Sequence, residues 1–333
     1  MRAVVAGATG FLGGYLLETL LQQGHEAVAL VRKGSDLRLV DQLGVEKRFS
    51  DMLDAESLGQ ALRGVEIVFN AAGKVADWGP WREFDESNVR GTAYLLLAAI
   101  QNGVKRFVQV SSVAAYGMRF FGSQTLPEET PYQTSPVGRD FYCKSKYLAE
   151  EEVKRAAAEG RIEFVILRPG IILGDRDSSV TRRIASMIRE RREIFNVGNL
   201  EEKIQLNYAE DVARGIILAG IHGPANQAYN VCSPPEMSKF EFWSQALIGL
   251  GLQRRIGSIP YPMALAFGYI FESLHAWLGD GRIPMMTLWS VYLMGNRNLI
   301  DGSKISKLGW IPSEAFGNGI ERTFSRFRGP RTN

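Results

Sequence analysis

The chain has 333 residues, enough for one large domain or two modest domains with a sizeable hydrophobic core. Its apolar content of 45% and charged content of 23% are typical of a soluble globular protein, and its net charge of +3 predicts no nucleic-acid partner. The two cysteines, Cys143 and Cys232, and the three histidines show no ligand spacing, so we expect reduced thiols and no metal site.

The first predicted element is a short buried strand at residues 3–6, which runs into a glycine-rich turn. Gly7, Gly10 and Gly13 recur every third residue, and a helix is predicted over residues 15–23. Glycine permits a tight turn and a close approach to a pyrophosphate, and the start of the helix offers free N–H groups to phosphate oxygens. Because the trio lies between a strand and a helix, it predicts a dinucleotide-binding site and not merely a structural turn.

The residues after the second predicted strand, at 27–31, bear on the choice of cofactor. A carboxylate at this place usually bonds the ribose hydroxyls of NAD, but this chain has Arg32, Lys33 and Ser35. An arginine suits the 2′-phosphate of NADP through charge-assisted hydrogen bonds. We therefore expect NADP(H) to be favoured over NAD(H), the alternative being a solvated basic loop.

Strands and helices continue to alternate along the chain. Further strands are predicted at residues 45–49, 67–70, 107–110, 164–167 and 228–231. Short connections between them indicate an α/β fold with a doubly wound parallel Rossmann sheet. We expect a dinucleotide-binding domain over residues 1–175, with returning segments near 205–232. A smaller, interleaved C-terminal substrate domain would take most of residues 176–333.

Tyr142 and Lys146 are four residues apart, so they share a face of the helix predicted over residues 142–158. An ammonium about 4 Å from a phenol, at an effective dielectric near 20, would lower the phenol pKa by roughly three units, toward about 7. Tyr142 could then exchange a proton at neutral pH. A strand ending in Ser111 and Ser112 precedes this pair, and Ser112 would hold the substrate oxygen, with Ser111 as the alternative.

Three further segments bear on the site, and the second and third of them are each open to two interpretations. Residues 113–141 are predicted to form a long loop near the site. Trp78 and Trp81 lie on another loop, where they could line an apolar pocket or anchor the loop to the core. An amphipathic helix carries several arginines between residues 182 and 192, and its basic face is either solvated or in contact with an anion or a lipid headgroup.

The stretches 261–278 and 288–294 are strongly apolar. Each is too short or too interrupted to span a bilayer, but each could line a large pocket, lie on a membrane interface or pack into the core. The first strand begins so early that no signal peptide is predicted. We expect a cytoplasmic protein, with peripheral membrane contact through residues 261–294 as an open alternative.

Several motifs together resemble the extended short-chain dehydrogenase/reductase superfamily, of the NAD-dependent epimerase/dehydratase type, over nearly the whole chain. The motifs are Gly7-Ala-Thr-Gly10-Phe-Leu-Gly13, Asn70-Ala-Ala-Gly73, Asn88-Val-Arg-Gly-Thr, Ser111-Ser112, Tyr142-x-x-x-Lys146 and Leu167-Arg-Pro-Gly170. Within the superfamily the chain is most similar to the 3β-hydroxysteroid dehydrogenase-like branch. That similarity is carried by Asp77-Trp-Gly-Pro-Trp81, Pro260-Tyr-Pro262 and Leu308-Gly-Trp-Ile-Pro312.

The resemblance implies a set of cofactor contacts and a catalytic triad. Binding of the dinucleotide would involve Gly7, Thr9, Gly10, Phe11, Leu12 and Gly13 at the pyrophosphate, Asp51 and Met52 at adenine, and Ala71, Ala72, Gly73, Tyr142, Lys146 and Pro169 at the nicotinamide half. Ser112, Tyr142 and Lys146 would form the triad, because Ser112 lies four residues before Tyr116-Gly117 as in related enzymes. Arg32 departs from the steroid-type members, which often carry an acid there and use NAD.

The sequence thus predicts an oxidoreductase that interconverts a secondary alcohol and a ketone by hydride transfer. The substrate would be apolar, either a 3β-hydroxysteroid or sterol-like molecule or a long-chain 3-oxo lipid. One alternative is a sugar-nucleotide epimerase or dehydratase with the same triad, and another is a non-catalytic NADPH-binding sensor. By analogy with the superfamily, we expect a homodimer formed through the helices at residues 92–100 and 142–158.

Overall fold

The structure is a computed structural model that describes residues 1–118, 122–133, 139–177, 180–279, 282–295, 297–313 and 316–328. Parts of the predicted loop over residues 113–141, and the last five residues of the predicted substrate domain, lie outside the described residues.

The strands are, in chain order, β1 (Arg2–Ala6), β2 (Glu26–Val31), β3 (Glu46–Phe49), β4 (Ile67–Asn70), β5 (Arg106–Val110), β6 (Thr125–Leu126), β7 (Glu163–Pro169), β8 (Ile171–Leu173), β9 (Glu193–Val197), β10 (Lys203–Ile204), β11 (Leu206–Tyr208), β12 (Gln227–Val231), β13 (Met237–Ser238), β14 (Arg255–Ile259) and β15 (Leu299–Ile300).

The α-helices are α1 (Phe11–Gln22), α2 (Arg38–Leu43), α3 (Ala55–Ala61), α4 (Trp81–Phe84), α5 (Gly91–Gln101), α6 (Phe141–Ala158), α7 (Val180–Glu190), α8 (Ala209–His222), α9 (Lys239–Leu250), α10 (Tyr261–Leu278), α11 (Leu288–Gly295), α12 (Ser303–Ser306) and α13 (Phe316–Ser325). A π-helical segment (Asp85–Arg90) joins α4 to α5, and a 3₁₀ turn (Val113–Tyr116) follows β5.

A parallel sheet of seven strands forms the centre of the molecule, in the order β12-β7-β5-β4-β1-β2-β3. Its inner strands are apolar on both faces because helices cover both sides. Ala3 and Val5 of β1 face the cluster that contains α1 and α8, whereas Val4 and Ala6 face the cluster of α3, α5 and α6. The predicted doubly wound parallel sheet is confirmed.

Each of the seven predicted strands is present in this sheet, but some helix boundaries differ. Helix α1 begins at Phe11, not at Tyr15, because Gly13 and Gly14 fit into the helix where it packs closely on its neighbours. The returning segment near residue 205 forms strand β11, which pairs in parallel with β8, before helix α8 begins at Ala209. The helix predicted over residues 92–100 is α5, and the π-helical segment precedes it directly.

A second layer packs against the end of the sheet. Its core joins α7, α9 and α13 to β9, around Trp243, Phe242 and Phe324. Strand β12 and helix α8 lie between parts of this layer in the chain, yet β12 pairs with β7 and α8 packs on α1. The division into two domains near residue 175 stays a prediction.

The turn after β1 leaves no room for a side chain at residue 13. A Cβ added to Gly13 would lie 2.0 Å from the Gly7 carbonyl oxygen. We expect Gly13→Ala to lower the free energy of unfolding by about 3 kcal/mol in urea denaturation, because the helix must move away from the strand. The matched control is Gly59→Ala inside α3, where an added Cβ meets nothing within 4 Å. It should raise stability by about 0.5–1 kcal/mol, and equal effects of the two variants would contradict the packing argument.

Candidate active site

The turn between β1 and α1 is built from close backbone contacts. Gly7 has a φ of 78°, and a Cβ there would lie 2.7 Å from the Ala72 nitrogen at the end of β4. The Gly10 N–H donates to the Gly7 carbonyl at 2.9 Å. Gly10 is also the N-cap residue of α1, and no side chain caps this helix. The first turn of α1 therefore offers unsatisfied N–H groups beside the ends of two strands.

A groove of about 470 Å³ runs along the carboxyl ends of β1 to β4. The predicted cofactor residues that line it are Gly7, Thr9, Gly10, Arg32, Asp51, Met52, Ala71, Ala72 and Gly73. Open α/β sheets bind ligands at this edge. The groove has the backbone cradle and the mixed polar and apolar lining that a dinucleotide requires.

Other predicted cofactor residues do not line this groove. The side chains of Phe11 and Leu12 pack against the core, and Phe11 meets the ring of Tyr15 edge-on at 5.8 Å. Gly13 lies under the turn, against Gly7. Pro169 is buried at the end of β7. These residues shape or support the site in this structure without facing the groove.

Arg32 is exposed at the rim of the groove. It also lines an adjoining basin of about 610 Å³ together with Lys33 and Ser35. In the described part of the chain it forms no ion pair, in contrast to Arg38, whose guanidinium binds the Asp36 carboxylate at 2.6 Å. The Arg32 guanidinium is thus available to an anionic group in the basin.

The three predicted catalytic residues come from the end of β5 and the first turns of α6. Ser112 begins the 3₁₀ turn, where its Oγ accepts the Ala114 N–H at 3.1 Å. Tyr142 lies in the first turn of α6, and Lys146 lies one turn later. The Lys146 ammonium donates to the Val110 carbonyl at 3.2 Å, and it lies 3.5 Å from the position of a Cβ added to Gly73. The structure therefore brings the three residues together beside the groove.

Burial controls the proton affinities of this cluster. It raises the pKa of Tyr142 to about 12, although a hydrogen bond with Ser112 acts in the opposite direction. It lowers the pKa of Lys146 to about 8, against the attraction of Glu150. The expected Tyr142 pKa near 7 is therefore wrong for this structure, because desolvation dominates and Lys146 donates to Val110.

The structure separates the two candidate serines. Ser112 is the one whose hydroxyl interacts with Tyr142. Ser111 is buried, its N–H donates to the Leu167 carbonyl at 2.7 Å, and its Oγ has no hydrogen-bond partner within the described ranges. This arrangement favours Ser112 over Ser111 as the group that meets the substrate.

A buried polar network, which the sequence analysis missed, anchors the middle of α6. Arg168 on β7 donates two hydrogen bonds to the Glu150 carboxylate, at 2.8 and 2.6 Å, and one to the Tyr116 hydroxyl at 3.0 Å. The Tyr116 hydroxyl in turn donates to Asn230 Oδ1 at 2.6 Å. An arginine inside a buried strand requires such partners, and the Leu-Arg-Pro sequence was the available signal.

Asn88 in the π-helical segment connects α6 to the end of β4. Its Oδ1 accepts the Lys74 N–H at 2.6 Å, and its Nδ2 donates to Ser145 Oγ at 2.8 Å. Ser145 precedes Lys146, so this contact fixes the turn of α6 that carries the Lys146 ammonium. Single π-helical turns occur often at functional sites, because they re-aim a side chain.

A second cavity, of about 170 Å³, has Tyr142 in its wall. Most of its lining is apolar, and it includes Trp78, Phe84, Met118, Phe141, Ala276 and Trp289. Trp78 thus lines a pocket, whereas Trp81 packs against Phe141 at 5.8 Å, so each interpretation of the two indoles holds for one of them. Three charged residues, Asp77, Arg139 and Asp140, complete the wall.

Helix α10 borders this cavity. Its Ala276 lines the cavity, but large apolar side chains on the helix are exposed, among them Met263, Ile270 and Trp277, which is 81% exposed. No helix in the described part of the chain is long and apolar enough to cross a membrane. On the basic helix α7, Arg183 pairs with Asp77, and Arg189 binds the Phe327 carbonyl at 2.7 Å.

Comparisons with known proteins identify the family. The model of the NAD dependent epimerase/dehydratase family matches residues 3–232. The 4-hydroxy-2-methyl-3-oxo-4-farnesyl-3,4-dihydroquinoline-1-oxide ketoreductase of Stigmatella aurantiaca is 28% identical over 96% of this chain and 95% of its own length. The 2-alkyl-3-oxoalkanoate reductase of Stenotrophomonas maltophilia is 29% identical, with coverages of 97% and 98%. The decarboxylating sterol-4-alpha-carboxylate 3-dehydrogenase of Mus musculus is 27% identical, with coverages of 98% and 91%.

Solved structures share the fold over the whole chain. The crystal structure of gox2253 is 27% identical and superimposes with a TM-score of 0.78, covering 98% of this chain and 97% of that one. The UDP-glucose 4-epimerase of Thermus thermophilus, solved as a complex with NAD, is 23% identical and gives a TM-score of 0.74, covering 99% of each chain. This chain is an enzyme of the short-chain dehydrogenase/reductase type and belongs to the NAD dependent epimerase/dehydratase family.

Proposed function

We propose that the protein interconverts a secondary alcohol and a ketone on an apolar substrate, with Ser112, Tyr142 and Lys146 as its catalytic residues. The observation that carries this proposal is that Tyr142 lines the largely apolar cavity, while Lys146 one turn later on the same helix lies beside Gly73 at the edge of the groove. The relatives support it, because they include a ketoreductase, a 3-oxoalkanoate reductase and a sterol carboxylate dehydrogenase. The substrate would be a sterol-like molecule or a long-chain 3-oxo lipid.

Each of the three residues would have its own role in the reaction. The bound nicotinamide supplies or accepts the hydride. In reduction, the Tyr142 phenol would give its proton to the carbonyl oxygen, and in oxidation the Tyr142 phenolate would take the proton of the alcohol. The Ser112 hydroxyl would hold the same oxygen. A phenol with a raised pKa is protonated at neutral pH, as a proton donor must be, and the neighbouring Lys146 ammonium would stabilise the phenolate once it forms.

We further propose a preference for NADP(H) over NAD(H), although the family is named for NAD. Support comes from the exposed guanidinium of Arg32, which borders the groove at the end of β2 and has no ion-pair partner within the described residues. A 2′-phosphate in the adjoining basin would give it a charge-assisted, bidentate contact.

Replacing the phenol tests the triad. Tyr142→Phe should lower kcat about 100- to 10,000-fold, because the proton donor is lost, while cofactor binding is kept. The assay follows the reduced-nicotinamide absorbance of protein mixed with NADP⁺ or NAD⁺ and a 3β-hydroxysteroid, and of protein mixed with NADPH and a long-chain 3-oxo ester. Tyr147→Phe on the same helix is the control, because Tyr147 stacks on Tyr132 outside the cavity.

Full activity of Tyr142→Phe would exclude the proposed role of the tyrosine. Interconversion of UDP-sugars without net change in absorbance would favour the epimerase alternative, which uses the same triad with a retained cofactor. Cofactor binding with neither activity would favour the NADPH-binding sensor.

The cofactor preference has its own test. Arg32→Ala should raise the KM for NADP⁺ about 10- to 100-fold and leave that for NAD⁺ within about twofold, since only the 2′-phosphate contact is lost. Arg38→Ala serves as control, because Arg38 is exposed, pairs with Asp36 and lies outside the groove. A wild-type preference for NAD⁺, or an equal effect of Arg32→Ala on both cofactors, would refute the assignment.

We also propose that the exposed face of α10 rests on a lipid bilayer, from which an apolar substrate enters the cavity. The face consists of Met263, Phe267, Ile270, Leu274 and Trp277, and each of these side chains is at least 38% exposed. Ala276 of the same helix lines the cavity beside Tyr142, so one helix borders both the surface and the pocket. Contiguous apolar surface of this kind commonly marks a site of contact.

Vesicle binding tests this contact. Wild-type protein should sediment with phosphatidylcholine–phosphatidylglycerol vesicles, and Ile270→Ser combined with Trp277→Ser should weaken that binding at least about tenfold, because two large side chains no longer enter the interface. Ile248→Ser is the matched control, because Ile248 is 55% exposed on the distant helix α9. Equal sedimentation of all three proteins, or none by wild type, would contradict the proposal.

A further inference from the structure

The charged groups in the wall of the apolar cavity differ in how they are paired. The Asp77 carboxylate accepts the Thr287 hydroxyl at 2.9 Å and forms an ion pair with Arg183. The Asp140 carboxylate accepts the Tyr132 hydroxyl at 2.7 Å. Both acids on the wall are therefore satisfied by neighbouring side chains.

Arg139 is the exception in this wall. It is partly buried, and it makes no hydrogen bond or ion pair with any residue that the structure describes. Arg176, another partly buried arginine, donates two hydrogen bonds to Glu18, both at 2.6 Å. A guanidinium that has lost part of its water without gaining an acceptor favours an anionic ligand.

The position of Arg139 indicates that such an anionic group would be part of the substrate. Arg139 lies three residues before Tyr142, and both residues line the same cavity of about 170 Å³. An anionic group bound by Arg139 would therefore belong to the same molecule as the alcohol or ketone at Tyr142, a few bonds from the reacting carbon. The start of the 18-residue helix α6, at Phe141, adds positive potential at this end of the cavity.

Glu272 on α10 also interacts electrostatically with Arg139. It is buried, its Oε1 accepts the Leu288 N–H at 2.7 Å, and its Oε2 has no hydrogen-bond partner among the described residues. Burial raises the pKa of this carboxyl to about 7, while the attraction of Arg139 lowers it. Near neutral pH its charge is only partial, so it offsets the guanidinium incompletely.

We propose that Arg139 binds a carboxylate of the substrate, so that the enzyme acts on apolar hydroxy acids and oxo acids in preference to neutral alcohols and ketones. The planar guanidinium matches the two oxygens of a carboxylate, and it would orient the substrate with its carbinol carbon at Tyr142. This inference rests on the proposed function in that the cavity beside Tyr142 holds the substrate.

The test compares an acid with its neutral ester. The full-length protein with NADP⁺ is given 2-hexyl-3-hydroxydecanoate or its methyl ester, and KM and kcat are measured for each. The wild type should have the lower KM for the acid. Arg139→Gln should raise the KM for the acid about 10- to 100-fold with little change in kcat, and should leave the KM for the ester within about twofold. Arg139→Lys should restore part of the difference.

Arg161→Gln is the matched control, since Arg161 is exposed and pairs with Glu159 far from the cavity. Calorimetric titration of the protein–NADP⁺ complex with both compounds gives a readout that needs no turnover. If the wild type binds the acid more tightly than the ester, and Arg139→Gln loses that preference, the carboxylate site is supported. If neither compound is turned over, the same binding result still supports the carboxylate site, but the proposed reaction is refuted. Equal binding of acid and ester, binding of neither, or equal losses for both in Arg139→Gln would overturn the inference.

Discussion

Contact of backbone with backbone at the turn after β1 is the constraint on which the site depends. The Gly7 carbonyl occupies the space that a side chain at residue 13 would need, and Gly7 itself faces the peptide between Ala71 and Ala72. Helix α1 can therefore begin directly beside the ends of β1 and β4. Its first N–H groups then border the part of the groove that glycine and alanine residues line, which lets a charged, flat ligand lie close to the backbone.

Helix α6 carries one residue at the apolar cavity and another beside the groove. Tyr142 in its first turn faces the apolar cavity, and Lys146 one turn later reaches Val110 and the Gly73 end of the groove. Two further contacts hold the helix in place, from Asn88 to Ser145 and from Arg168 to Glu150. The Tyr142 phenol and the Lys146 ammonium are thereby fixed on one helix, the phenol at the apolar cavity and the ammonium beside Gly73 at the edge of the groove.

The sequence predicted the fold well because buried parallel strands carry a strong local signal. All seven strands of the central sheet, and the glycine turn that begins the groove, could be recognised from apolar runs and glycine spacing. The Tyr142 pKa could not, because it depends on how completely tertiary packing removes water from the phenol. The buried partners of Arg168 come from distant segments, and the exposure of α10 depends on what packs against it. The homodimer stays a prediction, since a single chain does not test it.

Strand β12 closes the edge of the sheet at β7, and its Asn230 accepts a hydrogen bond from Tyr116 and donates its N–H to Glu128 at 2.9 Å. During translation β7 is synthesised well before β12, because helices and strands of the second layer lie between them in the chain. Until β12 arrives, β7 has an open edge and the Arg168 network lacks its last partner. Open strand edges pair readily with other chains, so the edge of β7 in the nascent protein can pair wrongly with another chain during this interval.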